Sequence, residues 1–409
     1  MRALVICHRI PYPPNKGDKI RSYNLIKYLK NFYEISLFFL IDDLKDIDGV
    51  KHLESMVNSV GFDVITPFKK KAAACTTLFT GTAASVRYFY SIKLQEAIDN
   101  LLETEVFDLI CCFCSPTAEY IFRSKHYDNG LNDIAWAMDL MDMDSEKWLD
   151  YAKNCKWPQA LIYRMESKRL RRYEARIAQE FDRIFLVSEI EKDLFVSKIG
   201  EAKVGNVMAL PNGVDLTYFD NSYKSQLKEN KPTLVFTGVM DYWPNVSGVT
   251  WFAKEIFPKV REVYPNCQFF IVGKNPVPEI KALGRLPGII VTGFVKDVRD
   301  YLSIADVSIV PLKMARGIQN KILEAMAMAK PVVTTSKALE GIQATPGKEV
   351  LVSDSAQDFA RYIIDLLSNP QLASTIGQNA RAKVQSSYSW KVSHAILSKA
   401  LGLPLETGS

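Results

Sequence analysis

Residues 306–335 read "DVSIVPLKMARGIQNKILEAMAMAKPVVTT", and their reading decides the fold. "VSIVPL" is a short apolar, β-branched run that reads as a buried strand, and "KMARG" reads as a loop. Residues 318–329 read as a helix that Pro331 ends, and "PVVTT" reads as the next strand. Strand, helix and strand in this order make a βαβ unit, whose parallel strands need helices over both faces. A helix start favours acidic side chains, because its free N–H groups and macrodipole make that end partly positive. Here Arg316 and Lys321 stand at that end, and the first acid is Glu324. At helical spacing Gly317, Asn320, Lys321 and Glu324 fall along one stripe, and Ile318, Ile322 and Ala325 along another. Bases at a helix start make an anion site, and Glu324 is the last polar position before the small, buried "AMAMA".

The same alternation runs outward in both directions. Strands are predicted near 2–7, 34–40, 62–66, 107–113, 134–141, 183–187 and 205–210, and again at 233–238, 267–273, 288–293, 306–312, 331–335 and 349–352. Between the two series, "LPNGVDLTYFDNSYKSQLKENKP" (210–232) holds a turn signal and little apolar periodicity, so it reads as a linker. Two doubly wound α/β domains follow, 1–211 and 212–386, with a cleft expected where the carboxyl ends of their strands meet. Residues 387–409, opening on "SYSWKVSHAILSKAL", read as a closing amphipathic helix.

Composition agrees with a large globular chain: 409 residues, 48% hydrophobic and 24% charged, with net charge +5. This mild basicity permits anionic partners without demanding nucleic acid, a reading that would rest on charge alone. Seven cysteines, an odd number without framework spacing, suit a reducing cytoplasm. The apolar run in "MRALVICHRI" is too short for a leader or a span, and "ISLFFLI" (35–41) reads as a strand. No strand is followed by GxGxxG, which argues against nicotinamide cofactors. "CCFC" (111–114) reads as apolar strand rather than metal site, and His8, His52, His126 and His394 show no ligand spacing.

Two further strand-to-helix loops draw notice. In "CHRIPYPPNKGDKIRSYNLIKYL" (7–29), Gly17 precedes a helix whose start carries Lys16, Lys19 and Arg21. That is either an anion site or a proline-rich turn with solvated lysines. In "TGVMDYWPNVSGVTWFAKEIFP" (237–258), Gly238 ends a strand, and Tyr242 and Trp243 either line a site or pack the loop. "PFKKKAAACTTLFTGTAASVRYFYSIKL" (67–94) and "RMESKRLRRYEARIA" (164–178) are basic segments that suit either an anionic membrane surface or plain solvation.

"GIQNKILEAMAMAKPVV" resembles the donor-site helix of family 4 glycosyltransferases, the retaining enzymes of GT-B fold. "LPNGVDLTYF" resembles their interdomain segment, "VTGFVKDVRDYLSIADVSIVPL" the strand and helix before the donor loop, and "SYSW" the start of the helix that crosses back. "HRIPYPPNKGDKIRSYNLIKYL" with "MDMDSEKW" resembles a bacterial subgroup tied to exopolysaccharide and exosortase loci.

The resemblance implies a GT-B architecture and a metal-independent glycosyltransferase that needs no cofactor beyond its nucleotide diphosphate sugar. It puts Glu324 on the donor ribose, and Gly17 and Gly238 beside the donor phosphates. Phe294, Val295, Gly317, Ile318 and Asn320 join the donor site on the same ground. The family's first glutamate falls at position 316, where this chain has Arg316, and its basic pair after Gly238 is absent from "VMDYWPN". Arg316 and Lys321, with Lys16 or Arg21, are therefore expected to hold the departing diphosphate. The family's histidine near the reacting carbon is also missing from "IAWAMDLMDMDSEKW" (134–148). There Asp142 and then Asp144 are candidates to orient or deprotonate an acceptor hydroxyl, unless Asp144 and Ser145 only cap a helix. The implied acceptor is a saccharide, expected to be lipid-linked and met at the inner face of the membrane. A second reading is a nucleotide-sugar-binding protein without transfer activity, in a regulatory or scaffold role.

Overall fold

The computed structural model describes residues 1–65, 81–128, 130–131, 133–153, 155–200, 206–227 and 230–404. The chain divides into two compact units, Met1–Pro211 with His394–Ser409, and Asn212–Ser393. Each is a parallel sheet wound with helices.

The first unit orders its seven strands β3-β2-β1-β4-β5-β6-β7. They are β1 (Arg2–Cys7), β2 (Glu34–Ile41), β3 (Ser59–Val64), β4 (Leu109–Phe113), β5 (Ala135–Met141), β6 (Arg183–Leu186) and β7 (Val207–Ala209). Burial on both faces explains why the central strands are unbroken apolar runs: Ala3, Leu4, Val5 and Ile6 of β1 are all fully buried. The order reverses between β1 and β4, the place where open α/β sheets bind ligands beyond the strands' carboxyl ends. β3 lies earlier than the expected 62–66, because Ser59 and Val60 already pair with Ser36 and Leu37 of β2.

Helix α1 (Gly17–Leu29) follows β1, the hairpin of α2 (Asp144–Lys153) and α3 (Gln159–Glu180) follows β5, and α4 (Glu189–Ile199) follows β6.

The second unit orders its strands β10-β9-β8-β11-β12-β13. They are β8 (Thr233–Thr237), β9 (Gln268–Val272), β10 (Ile289–Gly293), β11 (Val307–Val310), β12 (Val332–Thr334) and β13 (Leu351–Val352). The reversal falls between β8 and β11, so the loops after these two strands are neighbours. Helices α5 (Trp243–Trp251), α6 (Arg299–Ile304) and α7 (Asn320–Ala327) follow β8, β10 and β11.

Two segments behave differently from expectation. The stretch read as a linker is held down on the second unit: Arg299 lies 3.8 Å from the Tyr218 ring and 4.3 Å from the Tyr223 ring. The Tyr218 hydroxyl donates to Asp297 (3.0 Å) and the Tyr223 hydroxyl to Asp300 (2.8 Å). The second unit also runs past 386 to Ser393. Tyr388 Oη accepts from the Gln343 N–H (2.6 Å), and Ser389 bridges Val214, which fixes this segment there. The last helix, α8 (Trp390–Leu401), enters the first unit at His394, where His394 stacks on Tyr28 with ring centroids 4.0 Å apart. No helix among the described residues is long and apolar enough to cross a membrane.

Candidate active site

The site grows from the strand reversal in the second unit. β11 ends at Val310, and α7 begins at Asn320 rather than Ile318. Gly317 has φ +64°, outside the helical region, and Gln319 is extended, so Arg316, Gly317 and Ile318 belong to the loop. Arg316 therefore stands ahead of the helix instead of in its first turn, and its carbonyl accepts from Gln319 Nε2 (3.1 Å). Lys321 and Glu324 remain one turn apart on one face, and Asn320 Oδ1 accepts from Asn212 Nδ2 (3.0 Å).

Lys321 reaches the loop after β8. Its Nζ donates to Asn245 Oδ1 (2.7 Å) and lies 4.8 Å from the Phe236 ring centroid. Asn245, buried at the start of α5, donates through Nδ2 to the Val239 carbonyl (2.9 Å). Gly238 is needed for this arrangement, since a Cβ there would sit 2.8 Å from Asn245 Nδ2. Gly273, after β9, is needed too: its φ is +153°, and a Cβ would lie 1.6 Å from the Gly238 carbonyl oxygen. A chain of close contacts thus runs from Gly273 through Gly238 and Asn245 to Lys321.

The Glu324 carboxylate makes no hydrogen bond and no ion pair among the described residues. Burial pushes its pKa up to about 7, against the opposing pull of Lys321. Burial likewise pushes Lys321 down to about 8, with Glu324 opposing. Both groups therefore titrate near neutrality, and a carboxylate with free acceptor capacity beside an ammonium suits a ligand carrying hydroxyls and a negative charge. Phe294, 75% exposed, and Val295 follow edge strand β10 at the same end of the sheet.

The first unit departs further from expectation. Gly17 is the exposed first residue of α1. Lys19 is buried and paired with Asp46 (2.6 Å), and Arg21 is buried, donating to Asp139 (2.6 Å) and to the Leu210 carbonyl (2.6 Å). Neither is available to a diphosphate; of the three bases only Lys16 keeps no partner among the described residues. Asp142 follows Met141, which has φ +64° at the end of β5, and its N–H donates to the Leu140 carbonyl (2.9 Å). Asp144 opens α2 and accepts from the Ser115 hydroxyl (2.8 Å). Ser145 spends both its donors on buried Glu174, whose pKa burial pushes up to about 8. Cys111 and Cys112 are buried in β4, and burial raises both thiols.

Sequence reasoning passed over one cluster. His8, directly after β1, and Cys114, directly after β4, flank the first unit's strand reversal. His8 Nε2 lies 3.2 Å from Asp18 Oδ2 and 3.7 Å from Cys114 Sγ, and Arg9 also holds Asp18 (2.9 Å). Burial opposes the charge on Asp18, but His8 and Arg9 prevail and hold its carboxyl well below the usual range. The available signal was positional: a histidine directly after a strand and an acid in the first turn of the next helix.

Residues 231–369 match the family described as Glycosyl transferases group 1. That stretch contains β8 to β13 and the Lys321–Glu324 pair. The chain is 24% identical over 223 residues to an "Uncharacterized 44.6 kDa protein in cps region" of Klebsiella pneumoniae, covering 53% of this chain and 57% of that one. It is also 24% identical over 245 residues to a "GDP-mannose-dependent monoacylated alpha-(1-6)-phosphatidylinositol monomannoside mannosyltransferase" of Corynebacterium glutamicum, covering 53% and 61%. The chain thus spans less than two thirds of the length of these relatives. Among solved structures, sucrose-phosphate synthase from Thermosynechococcus elongatus superposes with TM-score 0.72 over 98% of both chains at 16% identity. The fold is therefore GT-B-like, two Rossmann-like units.

Proposed function

We propose that the chain is a retaining glycosyltransferase of hexosyl type that moves a sugar from a nucleotide diphosphate donor to a saccharide acceptor. The observation that carries this reading is the Lys321–Glu324 pair at the second unit's strand reversal, inside the stretch that matches the family model. Glu324 accepts from the donor ribose hydroxyls. Lys321, with Arg316 from the loop, faces the diphosphate, whose charge grows as the sugar bond breaks. Gly238, Gly317 and the helix start let backbone approach the donor, and Phe294 and Val295 flank its base. The donor binds chiefly to the second unit and the acceptor to the first, where Asp142 orients the acceptor hydroxyl. No metal or further cofactor takes part in this scheme.

A lipid-linked acceptor in bacterial exopolysaccharide or cell-surface glycan synthesis, met at the inner face of the membrane, fits two facts. One relative is named for a cps region, and the other for a GDP-mannose donor and a phosphatidylinositol monomannoside acceptor. Their different contexts leave the base and sugar open. A thermal-shift screen against UDP-, GDP-, ADP- and dTDP-sugars identifies the donor, since ligand binding raises apparent stability by mass action. Release of free sugar from that donor then separates transferase from binder. Unchanged donor turnover in both Arg316→Ala and Lys321→Ala would overturn the assigned roles.

A further inference from the structure

Helix α3 distributes its charge unevenly. Of its acids, Glu166 and Glu174 are buried. Glu166 accepts from the N–H groups of Ala84 (2.7 Å) and Ser85 (2.9 Å), and Glu174 holds Ser145. Only Glu180, the last helical residue, remains outside. The solvent face is therefore acid-free over nearly the whole helix, and helical spacing brings Leu161, Lys168 and Arg172 onto it together. Lys168, Arg172 and Lys198 of α4 line an open depression of about 340 Å³ with Arg171, Ala175 and Ile199. Arg171 is paired with Glu146, whereas Lys168, Arg172 and Lys198 have no ion-pair partner among the described residues. At the hairpin tip, Trp157 is 82% exposed, Leu161 53% and Ile162 49%.

We infer that this face of α3 docks on an anionic lipid bilayer, with Trp157, Leu161 and Ile162 entering the interface and Lys168, Arg172 and Lys198 held at the headgroups. The inference stands apart from the transfer chemistry, because none of these residues belongs to the donor site. Trp with neighbouring aliphatics at one end of a basic helix is the composition that interfacial helices use. A free phosphate would satisfy the cations and leave the apolar tip in water. A second copy packed two-fold on this face would set Lys168 and Arg172 against themselves. The segment "PFKKKAAACTTLFT" (67–80), also basic and aromatic, lies outside the described residues, and the inference does not draw on it.

Vesicle co-sedimentation of the full chain tests the inference. The expected result is binding to phosphatidylglycerol and phosphatidylcholine in equal parts, loss of binding on raising the salt, and little binding to phosphatidylcholine alone. Each juxtamembrane cation contributes roughly fivefold, so Lys168→Glu with Arg172→Glu should weaken partition by well over tenfold. Trp157→Ser should weaken it severalfold and should remove a tryptophan emission shift seen in the parent with vesicles. Both variants alter exposed positions, and an unchanged thermal melting midpoint without vesicles shows that they fold. Failure of the parent to sediment overturns the inference, as does partition that both variants retain, or self-association through this face in place of vesicle binding.

Discussion

The two units each follow a sheet strand with a loop and a base-rich helix start, and they use those bases in opposite ways. In the first, Lys19 and Arg21 turn inward to Asp46 and Asp139 and hold the unit together. In the second, Lys321 donates to a neutral amide, and the Glu324 carboxylate has no hydrogen-bond partner among the described residues, only the nearby Lys321 charge. The same residue types thus serve the fold in one place and remain available to a ligand in the other. Residue type does not distinguish them; the partner does.

Breaking the inward pairing should give the largest effect. Arg21→Ala leaves Asp139 buried without its cation and should destabilise the chain by about 3–5 kcal/mol, read as a fall in denaturation midpoint. Gly273→Ala should cost about 1–3 kcal/mol through backbone strain, and, by displacing the Gly238 loop, should weaken donor binding as well.

The second unit's pair should behave in the opposite sense. The folded-state pKa of Glu324 is raised from 4.5 to about 7, so the folded chain holds this proton more tightly and stability is lost as pH rises through that window. Lys321 is lowered from 10.5 to about 8, so its cost is present below about 8 and is relieved as pH rises toward 10.5. Glu324→Gln should therefore be no less stable than the parent at pH 8, and Lys321→Met no less stable at pH 7, in thermal melts. Each should nonetheless weaken donor binding about tenfold or more, the signature of a charge kept for a ligand. Lys16→Ala, at the half-buried residue before α1, should change stability by less than about 0.5 kcal/mol and should sharpen the contrast with Arg21.

Much of this architecture was legible in the residues. Unbroken runs such as "RALVIC" and "QFFIV" can only be strands buried on both faces, and every predicted strand has a counterpart in the sheets. The position of Glu324 was legible too: it is the last polar residue before "AMAMA", whose Ala325 to Ala327 are fully buried. The use of Lys19 and Arg21 was hidden, since their partners lie 27 and 118 residues away, beyond any local periodicity. The start of α7 was misjudged because Gly317 adopts a left-handed conformation that a spacing count cannot see. Asn245 went unrecognised because its role depends on Lys321, 76 residues on.

The most direct measurement is the affinity of the identified nucleotide sugar as a function of pH, for the parent and for Glu324→Gln. The parent should bind more tightly as pH rises through about 7, as the Glu324 carboxylate forms, and less tightly above about 8, as Lys321 loses its proton. The variant should bind at least tenfold more weakly and should lack the acid limb. A variant with the parent's affinity and pH profile would contradict the assignment of this pair to the donor.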